Sequence, residues 1–267
     1  MVIGSDISAS VSSTHLQRSQ DLLGRSLSRL SSGSRIINPA DDAAGMAVSA
    51  RLEAQVQRLT SAKSNVGNAV SFTQTQDGYL KRIGSALNRM GELSMLAQDV
   101  TKTDADRGLY DAEFQELSAF ITTAATKEFN GVPLFSTTDL DVTIDSEGGT
   151  FTMAGINLGD AAYTTATGAN VGTIAEAKSA LLAVNAAINK LSQDRAVVGS
   201  HQARLNYTAE QLSVNRENLT AANSRIEDAD VAEESTNLAR ANVLMQSGVA
   251  MLAQANSMQQ NVLKLLQ

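Results

Sequence analysis

Imidazole is the usual general base near neutral pH, and this chain carries two, His15 and His201. They fall in different predicted helices. Serine is plentiful, yet no Gly-x-Ser-x-Gly elbow presents one as a nucleophile. There is no phosphate loop ending in Gly-Lys-Ser/Thr and no His-Glu-x-x-His pair. Gly78, Gly84 and Gly91 are spaced by six and seven inside a heptad run, which marks helix-packing or bending positions instead of a nucleotide fingerprint. With 0 cysteines, a thiolate zinc site, a disulfide framework and a Cys nucleophile are excluded. Glu227, Asp228, Asp230, Glu233 and Glu234 have the chemistry to hold a hard cation. They lack EF-hand spacing, however, and suit a helix start or a solvated cluster better. Asp104, Asp106 and Arg107 read as loop solvation. The expectation is a protein without catalysis, cofactor or metal.

Composition points the same way. The 267 residues are 43% hydrophobic, as in a globular chain, but only 4% aromatic. A net charge of −7 disfavours nucleic acid and anionic membrane as partners. No stretch approaches the roughly 18–20 apolar residues of a membrane span. Met1-Val2-Ile3-Gly4-Ser5-Asp6 has neither a basic leader nor an apolar core, so no cleavable secretory signal is expected. Only 2 prolines punctuate the chain, which predicts long helices.

The elements that organise these residues are written in a seven-residue period. Leu52, Leu59, Val66, Thr73, Leu80 and Leu87 form one run, with Ala62, Ala69, Ile83, Met90 and Ala97 three residues behind. Val184, Leu191, Val198, Leu205, Leu212, Leu219 and Ile226 form a second. Such spacing keeps one apolar seam facing a partner helix. Each seam is on the order of 65–70 Å long at the helical rise. The expected fold is a mainly α rod, an antiparallel coiled coil or helical bundle with its N- and C-terminal helices paired.

The ends differ from the middle. Leu238, Ala241, Met245, Gly248, Leu252, Ala255, Val262 and Leu266 make a C-terminal stripe. A second stripe of Leu244, Met251, Met258 and Leu265 lies beside it. Apolar side chains over so much of a helix need more than one partner. Leu16, Leu23, Leu27 and Leu30 of the N-terminal segment can supply one, and an ordinary intramolecular pair stays open as a reading.

Between the seams the texture changes. The helical period stops after Phe129-Asn130-Gly131, and Leu140, Val142 and Ile144 alternate with polar residues as in a half-buried strand. Gly148-Gly149 suits a tight hairpin turn, with Phe151, Met153 and Ile156 on the return strand. Residues 159–172 read as loop, and this central region reads as the most exposed. Near the start, Ser31 to Gly45 breaks the helical pattern. Asn38-Pro39 favours an extended turn, while Asp41 and Asp42 suit the start of the next helix. With Arg35 they form either a joint between two modules or a routine connection.

Two long motifs carry a resemblance. Leu27-Ser28-Arg29-Leu30-Ser31-Ser32-Gly33-Ser34-Arg35-Ile36, followed by Ala40-Asp41-Asp42-Ala43-Ala44-Gly45, resembles the N-terminal signature of bacterial flagellins. Ser224-Arg225-Ile226-Glu227-Asp228-Ala229-Asp230 and Gln246-Ser247-Gly248-Val249-Ala250-Met251-Leu252-Ala253-Gln254-Ala255-Asn256 resemble the C-terminal one. The resemblance covers residues 1 to about 135 and 173–267, and the short middle implies a minimal form with inner domains only.

It implies a terminal coiled coil (D0) over 1–43 and 226–267, and a helical D1 over 44–225 with a β-hairpin near 139–158. It also implies a structural subunit that polymerises into the flagellar filament and gives motility, extracellular and exported without a cleaved leader. The hook–filament junction protein, which shares this plan, is the alternative. The implied partners are copies of itself, an export chaperone and a filament cap protein. A host Toll-like receptor is a further one, contacting positions that match Leu87, Arg89, Leu93 and Glu113, although Gly91 stands where a second Arg is common.

Overall fold

The structure, a computed structural model, describes the backbone of residues 7–265 and the side chains of residues 9–258. Six helices dominate: α1 (Ile7–Ser32), α2 (Ala43–Ala97), α3 (Asp104–Ala125), α4 (Ala161–Thr167), α5 (Ile174–Glu227) and α6 (Val231–Leu265). Between α3 and α4 stand two small antiparallel pairs, β1 (Glu128–Phe129) with β2 (Val132–Pro133), and β3 (Leu140–Thr143) with β4 (Thr150–Met153). The fold class is mainly α, as the heptads predict. Both prolines fall outside helices, so α2 and α5 run 55 and 54 residues without a break.

The chain divides into two compact units, Val56–Glu217 and Met1–Gln55 with Asn218–Gln267. In Val56–Glu217, α2 and α5 run antiparallel. Gln98 donates to the Ala177 carbonyl at 3.4 Å, and Arg195 Nε donates to Asp77 Oδ1 at 2.9 Å. Val66, Leu80, Leu87, Val184, Val198 and Leu205 are at 0% exposure, so the two sequence seams are one closed core. A Cβ on Gly84 would stand 3.1 Å from Leu191 Cδ2, and one on Gly91 would stand 3.7 Å from Val184 Cγ1. Only Gly84 is at a close helix approach; Gly91 leaves ordinary van der Waals room and Gly78 faces open space, so one of the three takes the packing role their spacing suggests.

Three details depart from the sequence reading. Arg107 is buried, not solvating a loop. Its guanidinium donates to the carbonyls of Ala97 (2.8 Å) and Asp99 (2.9 Å) and to Asp104 Oδ1 (2.6 Å). It thereby ties the end of α2 to the start of α3, where Thr103 and Asp106 form a capping box. Residues 159–172 are not all loop. Asp160 caps α4, and Tyr163, 1% exposed, donates to the buried Asp194 at 2.7 Å. Two turns are too short to show a period.

The central region is not the most exposed either, since Phe151, Met153, Ile156, Leu158 and Val171 are buried. The hairpin itself is present, with Leu140 opposite Met153 and Val142 opposite Phe151. Its turn is wider than a Gly-Gly turn, because only Gly148 has positive φ (90°). The Asp145 carboxylate organises it by accepting from the Glu147 and Gly149 N–H groups. The first pair, β1–β2, turns tightly through Asn130 (φ 52°) and Gly131 (φ 78°), the backbone that Asn-Gly adopts readily.

In the other unit, α1 and α6 lie antiparallel. Arg29 pairs with Glu234 at 3.8 Å, and a Cβ on Gly248 would meet Leu16 Cδ1 at 3.3 Å. Asp42 accepts from the Gly45 N–H at the start of α2 (2.8 Å), and Asp230 accepts from Ala232 (2.8 Å) and Glu233 (3.2 Å) at the start of α6. Both are the helix-opening roles that negative charge favours.

Candidate assembly surface and joint

The α1–α6 pair sorts its apolar residues into two sets. Leu16, Leu23 and Leu30 on α1, and Leu238, Met245 and Leu252 on α6, are half-buried, while Ala241 is buried. Leu244 (48% exposed), Met251 (65%) and Met258 (61%) recur at sevens and face solvent, which is the second stripe the sequence shows. Val262 and Leu265 belong to residues whose side chains lie outside the described ones, and Leu266 lies outside them altogether. On α1, Leu27 separates from its predicted partners and stands exposed, with Leu22 also open. Sequence reading missed Leu22. The signal was its offset from the Leu16, Leu23, Leu30 register, which puts it on another face of the same helix.

A groove between the two helices is lined by Leu22, Arg25, Arg29, Glu234, Arg240 and Leu244, with Ser26, Asn237 and Ala241 at its floor and walls. Its chemistry suits adhesion. It joins the apolar side chains of Leu22 and Leu244 to the charges of Arg25, Arg29, Arg240 and Glu234.

The connecting segment is built as a clamp. The Arg35 guanidinium donates twice to the Ile226 carbonyl, at 2.7 and 3.2 Å, and its backbone N–H donates to the Glu227 carbonyl. The Ala229 N–H donates to the Gly33 carbonyl at 2.9 Å. Ser49 donates to Glu227 Oε2 at 2.5 Å. Asp41 accepts from the Asn38 (3.2 Å) and Ile37 (3.4 Å) N–H groups. The Asn38 bond, and then the positive charge of Arg29 and Arg25, hold its carboxyl below the usual range. Asp42 lies 4.0 Å from Arg35, and Pro39 is exposed at the turn between them. Arg35 thus locks onto the 226–227 backbone with Asp42 beside it, while Asn38 and Asp41 bond to each other next to Arg25 and Arg29 of α1. All of this lies inside the compact unit of Met1–Gln55 with Asn218–Gln267.

The remaining residues divide. Arg89 binds Glu113 through two bonds (2.7 and 3.1 Å) and Glu92 through a third (2.9 Å) on an open surface. The hydrogen bond from Arg89 lowers the Glu113 pKa. Leu87 and Leu93 are not on that surface. Both are at 0% exposure in the core, because positions 87 and 93 face inward on α2. Neither side chain is open to a partner at the surface, contrary to the expectation for these two positions.

A helical chain whose paired ends keep an unpaired apolar stripe belongs to the proteins that pack by their sides. The comparisons narrow that class. Residues 3–139 match the bacterial flagellin N-terminal helical region and residues 181–266 the bacterial flagellin C-terminal helical region. A flagellar filament core protein, flaB2, of Brachyspira hyodysenteriae is 34% identical, with 100% of both chains covered. A flagellin of Halalkalibacterium halodurans is 35% identical over 91% of each. Among solved structures, Bacillus cereus flagellin is 28% identical with a TM-score of 0.50, covering 56% of this chain and 88% of that one. A putative flagellar hook-associated protein of Vibrio parahaemolyticus reaches a TM-score of 0.59 over 70% of this chain and 100% of its own. At 14% identity it shares the fold alone. The chain belongs to the bacterial flagellin family, and the hook–filament junction alternative gains no support.

Proposed function

We infer that this chain is a structural subunit that polymerises with copies of itself into the bacterial flagellar filament and so serves motility. The observation that carries the reading is the exposed stripe of Leu244, Met251 and Met258, left over after α6 has met α1. Fully burying such a side chain contributes roughly 1.5–3 kcal/mol, a gain unavailable to a lone subunit. Ordering the backbone costs about 1–2 kcal/mol per residue, so one helix partner stabilises the ends poorly. Repeated head-to-tail contacts supply the missing cover and generate an open helical polymer, not a closed ring. No helix among the described residues is long and apolar enough to cross a membrane.

The test is deletion of residues 231–267. Seeded growth, followed by electron microscopy, is expected to stop while Val56–Glu217 keeps its helical circular dichroism. Filaments of normal length from the truncated chain would overturn the reading.

The finer assignments are proposals from the family. The terminal pair, 1–43 with 226–267, acts as the D0 coiled coil, and 44–225 acts as D1. The subunit works outside the cytoplasm, exported without a cleaved leader, with an export chaperone and a cap protein as assembly partners. A Toll-like receptor contact would use the exposed Arg89–Glu113 pair. Arg89→Ala is then expected to lower receptor-reporter activation, and an unchanged dose response would remove that contact.

A further inference from the structure

We propose that the groove between α1 and α6 is a charged socket for the acidic α5–α6 junction of a second copy. This rests on the filament-subunit reading and names the contact that sets the register of neighbouring subunits. The groove holds three guanidinium groups, Arg25, Arg29 and Arg240, against one carboxylate, Glu234. Glu234 is already committed to Arg29. Arg25 donates to the Asp21 carbonyl of its own helix at 3.5 Å. Neither Arg25 nor Arg240 has an ion pair among the described residues, and Arg240 is the freer of the two, since the charge of Arg25 also acts on Asp41 of its own chain. Leu22 and Leu244 stand beside these charges, about half exposed. The socket is apolar and positively charged at once.

The complementary surface lies on the same unit. Asp228, Asp230 and Glu233 are exposed, and none has an ion pair among the described residues. Asp228 accepts from the Ser224 hydroxyl and Asp230 caps α6, so both carboxylates are held in place while keeping their charge. Glu233 and Arg240 are seven residues apart, on one face of α6 and about 10 Å apart along its axis. That is too far for a direct pair within one helix. A neighbouring copy displaced along the axis meets this separation. Its acidic junction then lies against the arginines while the Leu244, Met251 and Met258 stripe is covered in the same movement. Burial supplies the affinity of such a contact, and the charges select its stagger and direction.

Charge reversal tests the pairing in full-length protein. Arg240→Glu and Glu233→Arg, each alone, are expected to raise the subunit concentration needed for seeded growth at least about tenfold. Combining the two changes is expected to restore growth to within about threefold of the unaltered chain. Unchanged growth of either single variant overturns the socket. So does a double variant as impaired as the singles, whatever the cause of the single losses. Met251→Asp, run in parallel, separates this proposal from the reading beneath it. If Met251→Asp grows normally, apolar assembly through this stripe fails. If Met251→Asp is blocked while Arg240→Glu grows normally, the socket alone fails.

Discussion

The two compact units use the same heptad grammar to opposite ends. Between Val56 and Glu217, α2 and α5 meet with seam residues at no more than 5% exposure, and Phe114 of α3 and Phe151 of the hairpin are buried with them. In the α1–α6 pair the facing leucines are only half-buried, and a further stripe is 48–65% exposed. The first unit closes a core within one chain, although Met95 (60% exposed), Leu109 (74%), Leu182 (67%) and Tyr207 (74%) stay outside it. The second presents half of one. A single stripe per helix specifies a pair, whereas two stripes specify a lattice.

Substitution can break that contrast. The largest expected effect is in the closed unit, where Leu87→Ala should cost about 2–5 kcal/mol of monomer stability, read by urea unfolding. A cost below about 1 kcal/mol would mean that the seam is looser than its burial indicates. Leu244→Ala should change monomer stability by only about 0.5 kcal/mol, as at other exposed positions. Its effect should appear in assembly, as slower seeded growth at fixed subunit concentration. Comparable unfolding losses for both variants would erase the distinction between the units.

The smallest effect is a pH dependence in the closed unit. His201 packs edge-on to Phe151 at 5.6 Å, and Arg204 sits 4.1 Å over the same ring. Burial, and then the charge of Arg204, lower its pKa below the ordinary 6.5. The unfolded chain therefore takes up this proton at a higher pH than the folded one. The imidazole's contribution is whole above about 6.5 and is lost as pH falls toward the lower folded value. His201→Gln should flatten the difference in unfolding free energy between about pH 7.5 and about pH 5. An equal slope in both proteins would show that His201 contributes nothing to it.

Much of this was legible in the sequence because heptads report geometry directly. Leu80 and Leu87, or Val184 and Val198, are buried where their period puts them. The helix openings at Asp42 and Asp230 followed from local chemistry. The role of Arg107 was not legible, since a charge near a turn looks solvated until the Ala97 and Asp99 carbonyls are seen converging on it. Nor was α4, whose Tyr163 is fixed by Asp194, 31 residues away on another helix. The receptor-matching positions failed in part for a related reason. A motif gives residues in order, but only the helix phase shows that Leu87 points inward while Arg89 points out.

The amino-acid order alone determined the long helices, their apolar seams and the surplus of apolar residues at the ends, because period, proline placement and capping act over a few neighbouring residues. Tertiary structure decided which leucines the α1–α6 contact uses up and how Arg35 locks onto the Ile226 carbonyl. It also decided where unpaired positive and negative charge remain. Those outcomes depend on side chains that are distant in the chain and meet only in three dimensions.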